Sequence, residues 1–125
     1  MNNFAYKQTA IIASEFDFSR IEKDLKFSGD VCLSTTIAIP KDPDKNKTVI
    51  LSLDLSMGTK EDKIQMHVQS RSFFEIEGNV VPDTLRQDAQ ELCYPKASAV
   101  LSEKIAELTH IHIGKAMKIA IPSKF

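Results

Sequence analysis

The side chains able to do chemistry in this 125-residue chain are few: three histidines, two cysteines and scattered carboxylates. His110 and His112 stand two apart in "HIHIG". On a helix, residues two apart point to different sides and cannot chelate one ion together. On a strand they can, but the nearest further ligand in sequence is Cys93, and zinc sites take three or four. Surface histidines near a helix C-terminus, where positive charge is favoured, account for them better. A Cys–His nucleophilic pair is formally available from Cys32 or Cys93. Yet Cys32 falls inside a β-patterned run and Cys93 on an apolar helical stripe, the places of packed small hydrophobes. Glu75 and Glu77 share one strand phase and Asp54 lies on the polar phase of another; solvated charges explain them. With four glycines, no glycine-rich phosphate loop can be built. The residues argue against an enzyme and call for no metal and no cofactor.

Composition narrows the field further. Net charge is −1, from 16 basic and 17 acidic residues, so no basic footprint for nucleic acid exists. The Lys41–Lys47 run is interrupted by Asp42 and Asp44 and reads as a solvated turn. No apolar run approaches the ~18 residues that span a membrane, and no apolar segment follows a positive cluster at the N-terminus. Two cysteines far apart, without an export signal, read as free thiols in a cytoplasmic protein. The length is that of a single domain, residues 1–125.

The elements that must position these residues are mostly strands. "FAYKQTAII", residues 4–12, alternates imperfectly. In residues 14–28, Phe16 and Phe18 are spaced as in a strand, while Phe18, Ile21 and Leu25 also fit a helical turn. From Gly29 the pattern sharpens. Val31, Leu33, Thr35, Ile37 and Ile39 alternate with small residues until Pro40; Val49, Leu51, Leu53, Leu55 and Met57 form a second run. Ile64, Met66, Val68, Ser70, Ser72, Phe74 and Ile76 form a third. Polar turns, "KDPDKNK" and "GTKED", join them into an antiparallel meander. After Gly78 the period becomes helical: Leu85, Ala89, Leu92 and Cys93, a break or kink at Pro95, then Ala97, Val100, Leu101, Ile105, Leu108 and Ile111 up to Gly114. The expected class is α+β: a four-stranded antiparallel sheet, meander or Greek-key-like, followed by a short and a long helix packed on one face.

Two features do not fit a closed monomer. Phe73 and Phe74 are adjacent, so one ring must leave the core face. Phe74 belongs with the core phase; Phe73 joins Gln65, His67, Gln69, Arg71, Glu75 and Glu77. The helices and the tail to Ile121 also carry more apolar side chains than one small sheet can bury, which favours oligomerisation or an exposed binding groove.

The order of motifs resembles the SecB family of export chaperones. It runs from a meander with the "GTKED" hairpin through "HVQSRSFFEIEG", a short helix, Cys93-Tyr94-Pro95 and a long helix ending at Gly114, to a terminal Pro122-x-x-Phe125. Val68, Gln69, Phe73, Phe74 and Ile76 resemble the family's aromatic-rich strand. The resemblance covers nearly the whole chain in element order. It implies a dimer formed through the sheets, two dimers packed through helices into a tetramer, and ATP-independent holding of unfolded chains for the SecA motor. Members usually continue past the Pro-x-Asn-Phe motif and are strongly acidic. Here Lys124 replaces the asparagine, and the charge is near neutral, which weighs against the SecA handover.

On this reading the client-binding residues are Phe73, Leu92, Tyr94 and Pro95. The carboxylates facing a SecA-like partner are Glu61 and Asp62, and the oligomer seam is Ala97, Val100, Leu101, Ile105 and Leu108. Phe73 has a second explanation, packing under the N-terminal segment against Phe16 or Phe18. Two other functions stay open: a dedicated chaperone for one client such as an antitoxin, and a small-ligand-binding α+β domain.

Overall fold

The computed structural model describes residues 2–18, 31–57 and 64–113. Four strands, β1 (Asn3–Phe18), β2 (Val31–Ala38), β3 (Thr48–Met57) and β4 (Ile64–Glu77), form one sheet. Its spatial order is β1-β4-β3-β2, and every neighbouring pair is antiparallel. The expected meander is β2-β3-β4, and β1 closes against β4, which is the strand order of a Greek key. The "KDPDKNK" turn is tied locally: Asp42 O accepts from Lys45 N and Asn46 N at 3.1 and 2.9 Å, and Asn46 Oδ1 accepts from Thr48 N at 3.0 Å. The "GTKED" hairpin, the stretch 19–30 and the tail from Gly114 lie outside the described residues.

The imperfect alternation of the first strand has a structural cause. Pairing with β4 slips between Tyr6 and Gln8 and again between Ile11 and Ala13. The residues that share a row with β4's core phase are therefore Phe4, Tyr6, Thr9, Ile11, Ser14 and Phe16, opposite Ile76, Phe74, Ser72, Ser70, Val68 and Met66. Each slip leaves an extra residue, Lys7 and then Ile12, which bends and twists the strand. Strand spacing wins over helical spacing at Phe16 and Phe18, because β4 offers partners as far back as Ile64.

One face of the sheet is dry. Val49, Leu51, Leu53 and Leu55 of β3 and Met66, Val68, Phe74 and Ile76 of β4 are buried, and Leu85, Ala89, Cys93, Tyr94, Ala97, Leu101 and Ile105 cover them. Those last seven come from a single helix, α1 (Leu85–Ile113), entered through a 3-10 turn at Pro82–Thr84. The expected division into a short and a long helix is thus corrected: Pro95 lies inside α1. Proline removes one i→i−4 bond, here the one to the Glu91 carbonyl. Both Pro95 and Glu91 are exposed, so water can satisfy that carbonyl, and Ser98 Oγ donates to the Pro95 carbonyl at 3.0 Å. Burial of Cys93, Tyr94 and Ala97 around the proline outweighs the lost bond; each large apolar side chain buried contributes about 1.5–3 kcal/mol.

Leu85, Ala89, Cys93, Ala97, Leu101 and Ile105 recur every fourth residue. At 3.6 residues per turn, a step of four advances the stripe by about 40° each time. A stripe that precesses in this way follows the twist of the sheet beneath it. It also leaves Leu92 behind, 41% exposed, although Leu92 fits a stripe that repeats every seven residues.

The start of the chain is fastened to the start of α1. Asn2 is fully buried. Its side-chain amide exchanges two hydrogen bonds with the Val81 backbone, donating from Nδ2 to Val81 O at 2.9 Å and accepting from Val81 N at 2.7 Å. Asp88 Oδ2 accepts from Asn2 N, Asn2 Nδ2 and Thr84 Oγ1, each at 2.9 Å. These bonds hold the Asp88 carboxyl below its ordinary pKa, the backbone N–H of Asn2 contributing most, against an opposing effect of burial.

Candidate functional site

The two faces of the sheet offer different surfaces. Phe73 points to the face away from α1 and is half-buried. Its cross-strand partners are Ile50 on β3 and Gln8 on β1. Phe16 pairs instead with Met66, roughly 23 Å along β4 from Phe73 at 3.3 Å per residue. The two phenylalanines are not neighbours.

Leu92 and Pro95 stand on the exposed flank of α1. Residues three and four apart on a helix are neighbours, so Leu92, Pro95 and Lys96 make one patch. Tyr6 of β1 joins it: Lys96 Nζ lies 5.0 Å from the centre of the Tyr6 ring, an attractive cation–π arrangement. The same ring meets Phe74 edge-on, with centroids 5.5 Å apart at 64°. Its hydroxyl hydrogen-bonds Thr9 at 2.7 Å, and Thr9 in turn bonds Ser72 at 2.8 Å. Tyr6 is therefore held in place while 36% of it remains exposed. Tyr6, Leu92, Pro95 and the Lys96 stem thus present an exposed, largely apolar shelf, linked through the Lys96–Tyr6 contact.

Of the four residues expected to bind a client, Leu92 and Pro95 come together on this shelf. Phe73 lies on the opposite face of the sheet. Tyr94 is 2% exposed in the core, where desolvation pushes its hydroxyl pKa up. It follows the core phase of α1, one residue past Cys93, and its neighbour Pro95 takes the solvent side. The sequence pattern does not reveal the Tyr6–Lys96 contact, because only the pairing register of β1 brings Tyr6 to Lys96 of α1.

In the stripe expected at an oligomer seam, Ala97, Leu101 and Ile105 are fully buried within the single chain, and Val100 is 8% exposed. Leu108 is half-buried. Burial within the single chain takes most of the stripe, leaving only Leu108 partly exposed. Glu61 and Asp62 lie outside the described residues.

The polar face assembles a cluster that spacing alone does not show. Asp54 of β3 is the cross-strand partner of Gln69. Its Oδ2 accepts from Gln69 Nε2 at 2.8 Å, and its Oδ1 is 2.6 Å from His67 Nε2. The Gln69 bond and, after it, the His67 bond and charge hold the Asp54 carboxyl below its ordinary pKa, against partial burial. Cys32, Ser56 and His67 share one row across β2, β3 and β4. Cys32 and His67 are thus two strand spacings apart, about 9.6 Å, too far for a nucleophile–base bond. Burial pushes the Cys93 thiol up to about 12, which removes it as a nucleophile near neutrality. Among the described residues no three metal-ligating side chains converge, and no helix is long and apolar enough to cross a membrane.

No family model and no curated protein matches the chain. Its fold does match solved structures. One is the Mycobacterium tuberculosis Rv1957 SecB-like chaperone in complex with a ChAD peptide from the Rv1956 HigA1 antitoxin. The likeness has a TM-score of 0.67 at 12% identity and covers 95% of this chain and 90% of that one. Another is a protein of unknown function from Streptococcus agalactiae, with a TM-score of 0.56 at 13% identity, covering 97% and 99% of the two chains. The α+β fold, a four-stranded antiparallel sheet followed by a helix, is thus shared with that SecB-like structure.

Proposed function

We propose that this protein is a SecB-like chaperone that holds unfolded polypeptide without ATP, using the shelf of Tyr6, Leu92, Pro95 and Lys96. The observation that carries this reading is an apolar shelf, pinned from below by Phe74 and Thr9, on a fold shared with a peptide-binding chaperone. An unfolded chain displays apolar side chains that its native state hides. Each one buried contributes about 1.5–3 kcal/mol, and ordering it takes back about 0.5–1.5 kcal/mol. One small shelf therefore holds a chain weakly, and useful affinity needs copies of the shelf in an oligomer. A homotetramer, built as a dimer of dimers with Leu108 at a seam, supplies them.

The test is aggregation of a chemically unfolded polypeptide on dilution, with and without the protein, in the absence of nucleotide. The parent suppresses aggregation; the double variant Tyr6→Ser, Leu92→Ser, with unchanged circular dichroism, protects much less. A parent that protects no polypeptide defeats the reading.

A second reading has its own support. The Rv1957 structure holds a peptide from an antitoxin, which favours a dedicated chaperone for one client over a general one. Polypeptides captured with the protein from its own cell distinguish the two: many sequences for the general holdase, one for the dedicated form. In protein export, Glu61 and Asp62 would meet SecA through their charges, a contact that salt weakens over a Debye length of about 8 Å.

A further inference from the structure

The sheet face opposite α1 carries a shallow hollow of about 240 Å³ to which all four strands contribute. Ile12 enters it from the second slip of β1, Ser34 and Thr36 from β2, Ser52 and Asp54 from β3, and Arg71 from β4. Its two charged side chains, Asp54 and Arg71, are not equally occupied. Asp54, the acceptor, is already engaged by Gln69 and His67. Arg71 is exposed and forms no ion pair among the described residues. Its direct neighbours across β1 and β3 are Ala10 and Ser52, neither of which carries a charge. A guanidinium offers five N–H donors and no acceptor, and the hydroxyls of Ser34, Thr36 and Ser52 can donate or accept beside it. The charge left without a partner in the hollow is therefore the Arg71 guanidinium, and a carboxylate matches it with a bidentate pair.

We infer that the hollow receives an acidic side chain of a bound polypeptide, at a site separate from the apolar shelf. The neighbouring residues say which kind of segment. Phe73, half-buried beside Ile50, follows Arg71 by two positions on the same face. Two positions along a strand span about 6.6 Å, the same spacing as alternate residues of an extended peptide. A segment laid along β4 thus places a carboxylate on Arg71 and an apolar side chain, two residues away, on Phe73 and Ile50. The recognised pattern is acidic–any–apolar. This gives Phe73 a role on its own face, and it rests on the polypeptide-binding reading above.

The probes are two acetylated, amidated tripeptides, Glu-Ala-Leu and Gln-Ala-Leu, titrated into the isotope-labelled protein while backbone amide resonances are followed. Glu-Ala-Leu shifts the amides around Ser52, Arg71 and Phe73. Gln-Ala-Leu binds roughly tenfold more weakly, as loss of a charge-assisted pair predicts. Arg71→Gln in the protein produces the same loss, and Arg71→Lys restores part of it through charge alone. Equal binding of the two peptides, shifts confined to the Tyr6 shelf, or no shift at all overturns the proposal. The aggregation assay separates this result from the wider reading. A parent that binds Glu-Ala-Leu at Arg71 but protects no unfolded chain keeps the site and defeats the chaperone. A parent that protects as before while ignoring the tripeptides does the opposite.

Discussion

Asn2 and Asp88 are joined twice: the backbone N–H and the side-chain amide of Asn2 both donate to Asp88 Oδ2 at 2.9 Å. Through this pair, the second residue of the chain is locked to the first turn of a helix that begins more than eighty residues later. Replacing Asn2 by Ala leaves the Val81 backbone groups without their partners in a place where Asn2 itself is fully buried. Unsatisfied buried groups cost about 1–3 kcal/mol, and Asn2→Ala should lower the unfolding free energy in urea by that amount.

Asp88 also predicts how the protein responds to acid. Its folded pKa lies below the ordinary 3.8, so the ionised form favours folding. The contribution is complete above 3.8 and is lost as the pH falls through the folded value. Asp54 acts in the same direction. Melting temperature measured against pH should therefore fall more steeply below the ordinary carboxylate range in the parent than in Asp88→Asn. Equal slopes would mean that Asp88 is not ionised in its network.

Pro95→Ala should stabilise the protein. The alanine restores an N–H for the Glu91 carbonyl, and Pro95 is exposed, so little packing is lost. Proline in a helix interior is about 3 kcal/mol less favourable than alanine, and part of that is expected as a higher urea midpoint. A lower midpoint would show that the proline ring contributes more to the folded helix than the restored bond does.

Leu101→Ala removes a fully buried side chain from the middle of the helix–sheet core. The loss should be about 2–5 kcal/mol. Since Leu101 packs within one chain, stability should fall at every protein concentration. A loss that disappears in concentrated samples would place Leu101 at a subunit contact instead.

Lys7 and Glu75 pair at 3.2 Å across β1 and β4, with both side chains more than half exposed. Exposed pairs contribute about 0–1 kcal/mol. Lys7→Ala should leave the urea midpoint nearly unchanged.

Most of the sheet was legible in the sequence because strand period and burial coincide. Val49, Leu51, Leu53 and Leu55 alternate with Ile50, Ser52 and Asp54, and the former are all buried. β1 was harder to read, because two slips break its period at Lys7 and Ile12. The helix was misjudged at Pro95, where propensity argued for a break and packing on both sides overrode it. Leu92 and Tyr94 show the limit of periodicity: one lies a residue before Cys93 and the other a residue after it, and only the precession of the stripe decides which is buried. The Asp54–His67–Gln69 cluster and the Tyr6–Lys96 contact join separate elements, so register and docking had to be known before either could be seen.

The slips of β1 have a further consequence at the margins of the sheet. The two outer strands are unlike as templates for growth. β1 slips register twice, and the exposed Lys7 and Glu15 place charge along it. An incoming strand would meet a twisted, charged border of the kind that blocks edge-to-edge aggregation. β2 runs from Val31 to Ala38 without a charge, a proline or a register slip. Deleting Lys7 and Ile12 together would straighten β1 into a regular ribbon and remove that protection. The two extra residues that obscure the strand's pattern thus work against polymerisation.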